Sequence, residues 1–180
     1  MDGGDVSIGT VRWIIDRTGS SAVAKIDPEP FYIFNFPGSM ETSTLFRPHA
    51  RIEAGIIREL DFPSNTFYCS PKDNLLLFAG KEPNLLWKSF ADCIFSFAAQ
   101  AGVSMIYFVG SYAGAVPHTR EPRILGSVSN ENLKADLERY VAGFSDYEGP
   151  ASFMTYLMST ANNRGLCMAS LVEEVPAYVQ

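Results

Sequence analysis

Three apolar runs of the chain end in polar residues of the kinds that bind ligands or move protons. Glu82 and Asn84 follow the run Leu75-Leu76-Leu77-Phe78, and His118, Thr119 and Arg120 follow Met105-Ile106-Tyr107-Phe108-Val109. Glu173 and Glu174 follow the run from Leu166 to Val172, and Glu148 stands just ahead of the last apolar helical segment. In open α/β sheets, ligands settle outside the carboxyl ends of the strands. A cleft that gathers these side chains can hold a ribose or a phosphate, or perform acid–base chemistry. Each residue also has a plain structural use. Asn84 suits a helix cap. His118 and Arg120 can tie a long loop to a neighbouring carboxylate, and one of Glu173 and Glu174 can simply be solvated in a turn before Pro176.

Other chemistry is poorly provided for. There is no Gly-x-Gly-x-x-Gly fingerprint or P-loop, and Gly110 to Gly114 is a weak substitute. No serine or cysteine sits in a nucleophile setting such as Gly-x-Ser-x-Gly. The chain has 2 His, one of them (His49) on the face of a hairpin, so no histidine metal site and no cofactor are expected. Cys69, Cys93 and Cys167 are widely spaced in apolar segments without a CxxC pattern. They read as buried free thiols in a reducing cytoplasm.

Helices and strands alternate along the chain. Val6 to Thr18 reads as a helix capped by Gly19, followed by a strand from Ala22 to Ile26 that Asp27-Pro28-Glu29-Pro30 ends. Arg47 to Glu53 alternates charged with apolar residues, and Gly55 turns it into a return strand from Ile56 to Phe62, forming a hairpin. Asn65 to Cys69 is a strand, and the continuous apolar runs at Asn74–Ala79 and Met105–Val109 read as strands covered on both faces, as in a parallel sheet. Leu85 to Ala101 is a helix with one narrow polar stripe (Lys88, Asp92, Ser96, Gln100). A surface helix normally has a wider polar face, so something besides its own sheet must cover it. Trp87 and Phe95 on this helix, with Met154 and Met158 on the helix opened by Gly149-Pro150, are candidates for an interface with another subunit. A strand from Arg123 to Val128, a short solvated helix from Asn132 to Tyr140 and a last strand from Leu166 to Val172 complete the reading. The fold class is α/β, with a mainly parallel sheet plus a β-hairpin.

The 180 residues fit one domain. They open on a Gly-rich turn and a helix and stop soon after a strand. The expectation is a single domain, 1–180, lacking its first strand and its C-terminal helices. With 14 Lys+Arg against 20 Asp+Glu, the net charge of -6 repels phosphate backbones, which argues against nucleic acid and anionic membrane as main partners. No apolar stretch is long enough to span a bilayer, and Met1-Asp2-Gly3-Gly4-Asp5 has no signal-peptide character. Aromatic residues reach 13%, so either the core is unusually aromatic or part of that surface meets another chain.

Several fragments together resemble the proteasome assembly chaperone 2-like family. They are Ile26-Asp27-Pro28-Glu29-Pro30-Phe31-Tyr32, Arg51-Ile52-Glu53, Phe62-Pro63-Ser64-Asn65, Gly80-Lys81-Glu82-Pro83-Asn84 with Trp87, Val116-Pro117-His118-Thr119-Arg120, Tyr147-Glu148-Gly149-Pro150 and Ser170 to Pro176. The resemblance implies a three-layer α/β/α fold similar to purine nucleoside phosphorylases, and an oligomeric protein. It also implies proteasome subunits or other proteins as partners. Some family members carry an ATP-grasp, carboxylate–amine ligase label. Related proteasome-binding tails end in a hydrophobic-Tyr-any pattern; here Tyr178 stands one place too early. The expected function is a homo-oligomeric, assembly-chaperone-like interaction module in the cytoplasm, more a binding protein than an enzyme. The competing expectation is an enzyme or sensor for a nucleoside-like or nucleotide-like ligand in the strand-end cleft.

Overall fold

In the computed structural model, residues 5–178 are described, so the Gly3-Gly4 turn and the last two residues lie outside the description. The elements run α1 (Val6–Thr18), β1 (Ser21–Ile26), α2 (Met40–Thr44), β2 (His49–Glu53), β3 (Ile56–Asp61), β4 (Asn65–Ser70), β5 (Leu75–Ala79) and α3 (Trp87–Gln100). They continue with β6 (Met105–Gly114), β7 (Ile124–Val128), α4 (Lys134–Leu137), β8 (Gly143–Phe144), α5 (Phe153–Ala161) and β9 (Cys167–Pro176). Helix α1 closes as its sequence expects: Gly19 takes a φ of 63°, which turns its N–H back to the Ile15 carbonyl.

The architecture is α/β, but two of its sheets are antiparallel and only the third, which is mixed, holds parallel pairs. One sheet has the order β1-β4-β5, another is the hairpin β2-β3, and the third has the order β6-β9-β7-β8. The expected mainly parallel sheet is corrected in two places. Strand β5, which carries the Leu75–Phe78 run, pairs antiparallel with β4. Strand β7 runs antiparallel to β9, while β6 and β9 are parallel from Met105↔Cys167 to Gly114↔Pro176. The physical reason is that a continuous apolar run reports only that both faces of a strand are covered, not which way its neighbour runs. Alternation along β5 sends Leu76 and Phe78 to the main core. Leu77 is buried outside that core, and α1 lies against β5 and β6.

The main core sits between the sheets and the paired helices α3 and α5. Phe90, Ala91, Ile94, Phe95 and Ala98 of α3 meet Phe153, Leu157 and Ala161 of α5, with Met168 of β9 and Phe67 of β4 in the same cluster. Helix α5 therefore supplies the extra cover that the narrow polar stripe of α3 called for. Rings carry much of this packing. Phe90 meets Phe31 at 4.9 Å and Phe153 at 5.4 Å, both edge-to-face, the arrangement their quadrupoles favour.

Several boundaries differ from expectation for local reasons. Helix α3 begins at Trp87, because Leu86 takes a left-handed φ of 52° ahead of it. Pro150 lies upstream of α5, whose cap is Ser152, its side chain accepting from the Thr155 N–H. The expected helix over Asn132–Tyr140 is a single 3-10 turn followed by the four-residue α4. The thiols are less buried than expected. Cys93 is exposed, and Cys69 and Cys167 are half-buried. Cys93 has apolar neighbours in sequence, but the buried face of α3 is carried by Phe90, Ala91, Ile94, Phe95 and Ala98 and leaves it outside.

Candidate functional site

Strands β6 and β9 both run past the point where a short strand would stop, and their shared end builds the site. Ser111↔Glu173 and Tyr112↔Glu174 are neighbours in that ladder. Strand β7 comes alongside with Ile124 opposite Glu173, and the Arg123 carbonyl accepts from the Glu174 N–H at 2.9 Å. Glu173 and Glu174 are therefore half-buried strand residues and not the exposed turn expected of them. The Glu174 side chain folds back over Gly114, where any β-carbon would lie 2.5 Å from its Oε1. Beyond Gly114 and Ala115 the chain leaves the ladder as Val116-Pro117-His118, and a turn follows, the Arg120 N–H donating to the Pro117 carbonyl at 3.1 Å.

These segments enclose a cleft of about 140 Å³ lined by His118, Arg120, Glu121, Arg123, Glu173 and Glu174, with Val116, Val175 and three prolines as its apolar walls. Four predicted residues thus come together here: His118, Arg120, Glu173 and Glu174. Among the described residues neither Arg120 nor Arg123 has an ion-pair partner. Their charges are felt at Tyr112, whose hydroxyl is pushed up first by burial and then by the Glu174 carboxylate, with Arg120 and Arg123 opposing. His118 is fixed by Tyr178: its main-chain N–H donates to the Tyr178 hydroxyl at 2.6 Å, and its Nδ1 lies 2.9 Å from the same oxygen. No group of three or more metal-ligating side chains occurs among the described residues. The arrangement can exchange ion pairs and hydrogen bonds with a partner across an open rim.

Glu82, Asn84, Thr119 and Glu148 do not line this cleft. Glu82 reaches across to α5, where its Oε1 accepts from the Phe153 N–H at 2.6 Å. A carboxylate there satisfies a helix-start donor and complements the helix dipole. Asn84 does not cap α3; its Oδ1 accepts from the Ile33 N–H at 3.1 Å and holds the aromatic loop 31–34 in place. Thr119 and Glu148 are exposed. Glu82→Ala should therefore lower stability by about 1–2 kcal/mol without changing the cleft. Urea titration checks the first part, and an unchanged affinity for any cleft ligand checks the second.

A second polar cluster lies next to Glu82 in sequence. Asn65 is 1% exposed, its Oδ1 2.8 Å from the Tyr32 hydroxyl and accepting from the Lys81 N–H at 3.3 Å. The Tyr32 hydroxyl also lies 2.5 Å from the Lys81 carbonyl. Burial pushes the Tyr32 phenol up to about 12, with the Asn65 hydrogen bond opposing.

The four interface candidates divide. Phe95 is 2% exposed and sealed by the Arg164 guanidinium, 4.9 Å above its ring, which also pairs with Asp92. Its apolar surface is used inside the chain. Trp87 is half-buried against Phe153 and Tyr156, with Nε1 donating to the Pro83 carbonyl at 2.9 Å. Met154 and Met158 are half-buried at the edge of the core. Sequence reasoning missed Arg123, Glu121, Tyr112 and Tyr178 as site residues. Arg123 stands at the start of a strand and Glu121 one place past Arg120, but only the β7–β9 pairing puts them beside Glu174.

The model for the PAC2 family matches residues 1–180 of the chain. Among solved structures, a PAC2 family protein from Streptomyces avermitilis is similar with a TM-score of 0.81 at 24% identity, over 99% of this chain and 73% of that one. A proteasome-assembly chaperone homologue from Mycobacterium tuberculosis gives 0.80 at 24% identity, over 99% and 72%. An archaeal homologue of proteasome-assembly chaperone from Pyrococcus furiosus gives 0.62 at 15% identity, over 92% and 64%. No curated protein matches. At these identities the structures establish a shared fold. Neither the family description nor these three structures carry the carboxylate–amine ligase label.

Proposed function

The chain belongs to the PAC2 family, and on that premise we propose that it is a protein-binding module of the assembly-chaperone kind, with proteasome subunits as its partner class. The observation that supports this reading is the strand-end rim. Arg120 and Arg123 stand with Glu121, Glu173 and Glu174 around an open cleft, and among the described residues neither arginine forms an ion pair. Arginine is the cation best suited to interface ion pairs, because its planar fork matches a carboxylate. A cleft of about 140 Å³ is small beside the roughly 300–1,000 Å³ of ordinary small-molecule sites, which weighs against the nucleoside-binding reading. Glu82, Asn84, Thr119 and Glu148 lie outside the surface assigned to the partner.

The same reading takes 1–180 as one domain with the three-layer, phosphorylase-like arrangement. Support comes from the β5 alternation, which buries Leu77 away from the main core while α1 lies against β5 and β6. It takes the protein to be a homo-oligomer in the cytoplasm. No helix among the described residues is long and apolar enough to cross a membrane.

The test is a binding titration of the full chain against recombinant proteasome α-subunits from the same organism. Arg120→Glu should weaken binding roughly tenfold or more, since it replaces an attraction across the rim with a like-charge contact. Glu82→Ala should leave binding unchanged. Saturable stabilisation by nucleosides, with no binding of α-subunits, would reverse the assignment in favour of a small-molecule site.

A further inference from the structure

The loop from β6 to β7 carries His118, Arg120 and Glu121 to the rim of the strand-end cleft. Its two ends are held. Gly114 pairs with Pro176 in the ladder, and the Arg123 carbonyl accepts from the Glu174 N–H. Between them the loop stands off the body. Every residue from Pro117 to Ile124 is exposed, so no buried side chain anchors this stretch. Among the described residues, 115–122 makes no ion pair. Its hydrogen bonds are two kinds only: the internal turn from the Arg120 N–H to the Pro117 carbonyl, and the contacts of His118 with the Tyr178 hydroxyl. The internal bond shapes the turn without fixing its place. Tyr178 supplies the tie to the rest of the protein.

The tie is well founded on one side and light on the other. The Ala177 N–H donates to the Gly114 carbonyl at 3.1 Å, so the chain is held up to the residue before Tyr178. The Tyr178 ring is 64% exposed and meets the His118 ring edge-on at 6.0 Å, so its hydroxyl does most of the holding. That oxygen accepts from the His118 main-chain N–H at 2.6 Å, which frees its own proton for Nδ1, 2.9 Å away. Accepting that proton bond selects the Nε2–H tautomer of the neutral imidazole. We propose that Tyr178 is a positioning residue for the partner-binding rim: by holding His118 it orders loop 115–122 and presents Arg120. The proposal rests on the protein-binding reading above and deepens it. A loop ordered in advance loses less entropy when a partner docks on it. A loop held by so few bonds also opens locally at low cost. Tyr178 therefore sets the affinity of the rim from outside the cleft lining.

The test is Tyr178→Phe in the full chain, which keeps the ring and removes the hydroxyl. Exchange at the Arg120 amide, which Tyr178 does not touch, should rise roughly tenfold together with that of His118, the size expected for losing ordinary hydrogen bonds. The melting temperature should stay unchanged, because the ring lies outside the core. Nitrogen NMR should show the His118 imidazole losing its preference for the Nε2–H form, which a loss of packing alone would not cause. Affinity for proteasome α-subunits should fall roughly tenfold, and Arg120→Ala should remove most of that difference, since the latch acts through Arg120. Loop exchange left unchanged by Tyr178→Phe overturns the latch. A loosened loop with unchanged affinity, or the same loss with and without Arg120→Ala, overturns the positioning role. A wild type that binds no α-subunit overturns the partner reading and the positioning role with it, while the exchange experiment judges the latch separately.

Discussion

Phe90→Ala should lower the unfolding free energy by about 3–5 kcal/mol, the range for deleting a buried aromatic ring. Phe90 is 1% exposed and stands where the layers meet. Its ring contacts Phe31 and Tyr32 from the aromatic loop, Phe78 from β5 and Phe153 from α5. Those neighbours come from three separate elements, each fixed elsewhere, so the site cannot collapse to fill the cavity. Domains are stable by only about 5–15 kcal/mol, so this single change removes a large share. Urea titration reads it directly. Trp87→Ala gives the comparison: Trp87 is half-buried at the core's edge, and its loss should cost clearly less. Equal losses at the two positions would mean that the core is not centred on Phe90.

Asn65→Leu should cost about 1–3 kcal/mol, for a polar reason. Leucine keeps the bulk but removes the oxygen that accepts from the Lys81 N–H and faces the Tyr32 hydroxyl. The Tyr32 hydroxyl keeps the Lys81 carbonyl, so one donor, the Lys81 N–H, is stranded, at a cost of about 1–3 kcal/mol. The same cluster gives a pH dependence. Tyr32 in the folded protein is pushed up to about 12, above its ordinary value of 10.0. The folded state therefore holds the phenolic proton longer than the unfolded state does. The stabilising contribution is complete below pH 10 and declines as pH rises from about 10 to about 12. Tyr32→Phe should flatten that part of the profile and be less stable at neutral pH. A profile with the same alkaline slope in Tyr32→Phe would assign the slope to another group.

The elements with clear periodicity were readable from the chain: α1 with its Gly19 stop, α3, and strands β6 and β9. Strand direction was not. Leu75-Leu76-Leu77-Phe78 needed cover on both faces and received it from α1 and the core, while its ladder partner β4 runs antiparallel. The hairpin's alternation could be seen in Arg47–Glu53, but the bulge at Arg58 depends on cross-strand register, which composition does not encode. The strand-end cleft was half visible. His118, Arg120, Glu173 and Glu174 each follow an apolar run, and the run ends do converge. Arg123 joins them only through the β7–β9 ladder, and Tyr178 only by the fold of the chain beyond β9. Glu82 was visible as a polar residue after a strand, but its partner, the Phe153 N–H, lies 71 residues away. Local reasoning could see the carboxylate and not the helix start that uses it.

The most direct measurement of the protein's role is the rate at which α-subunits of the same organism's proteasome assemble into rings, with and without the full chain, in buffer free of nucleotide. Faster ring formation with wild type, lost in Arg120→Glu, is the predicted result. An unchanged rate with wild type, in a preparation that is folded by circular dichroism, would contradict an assembly-chaperone role for this chain.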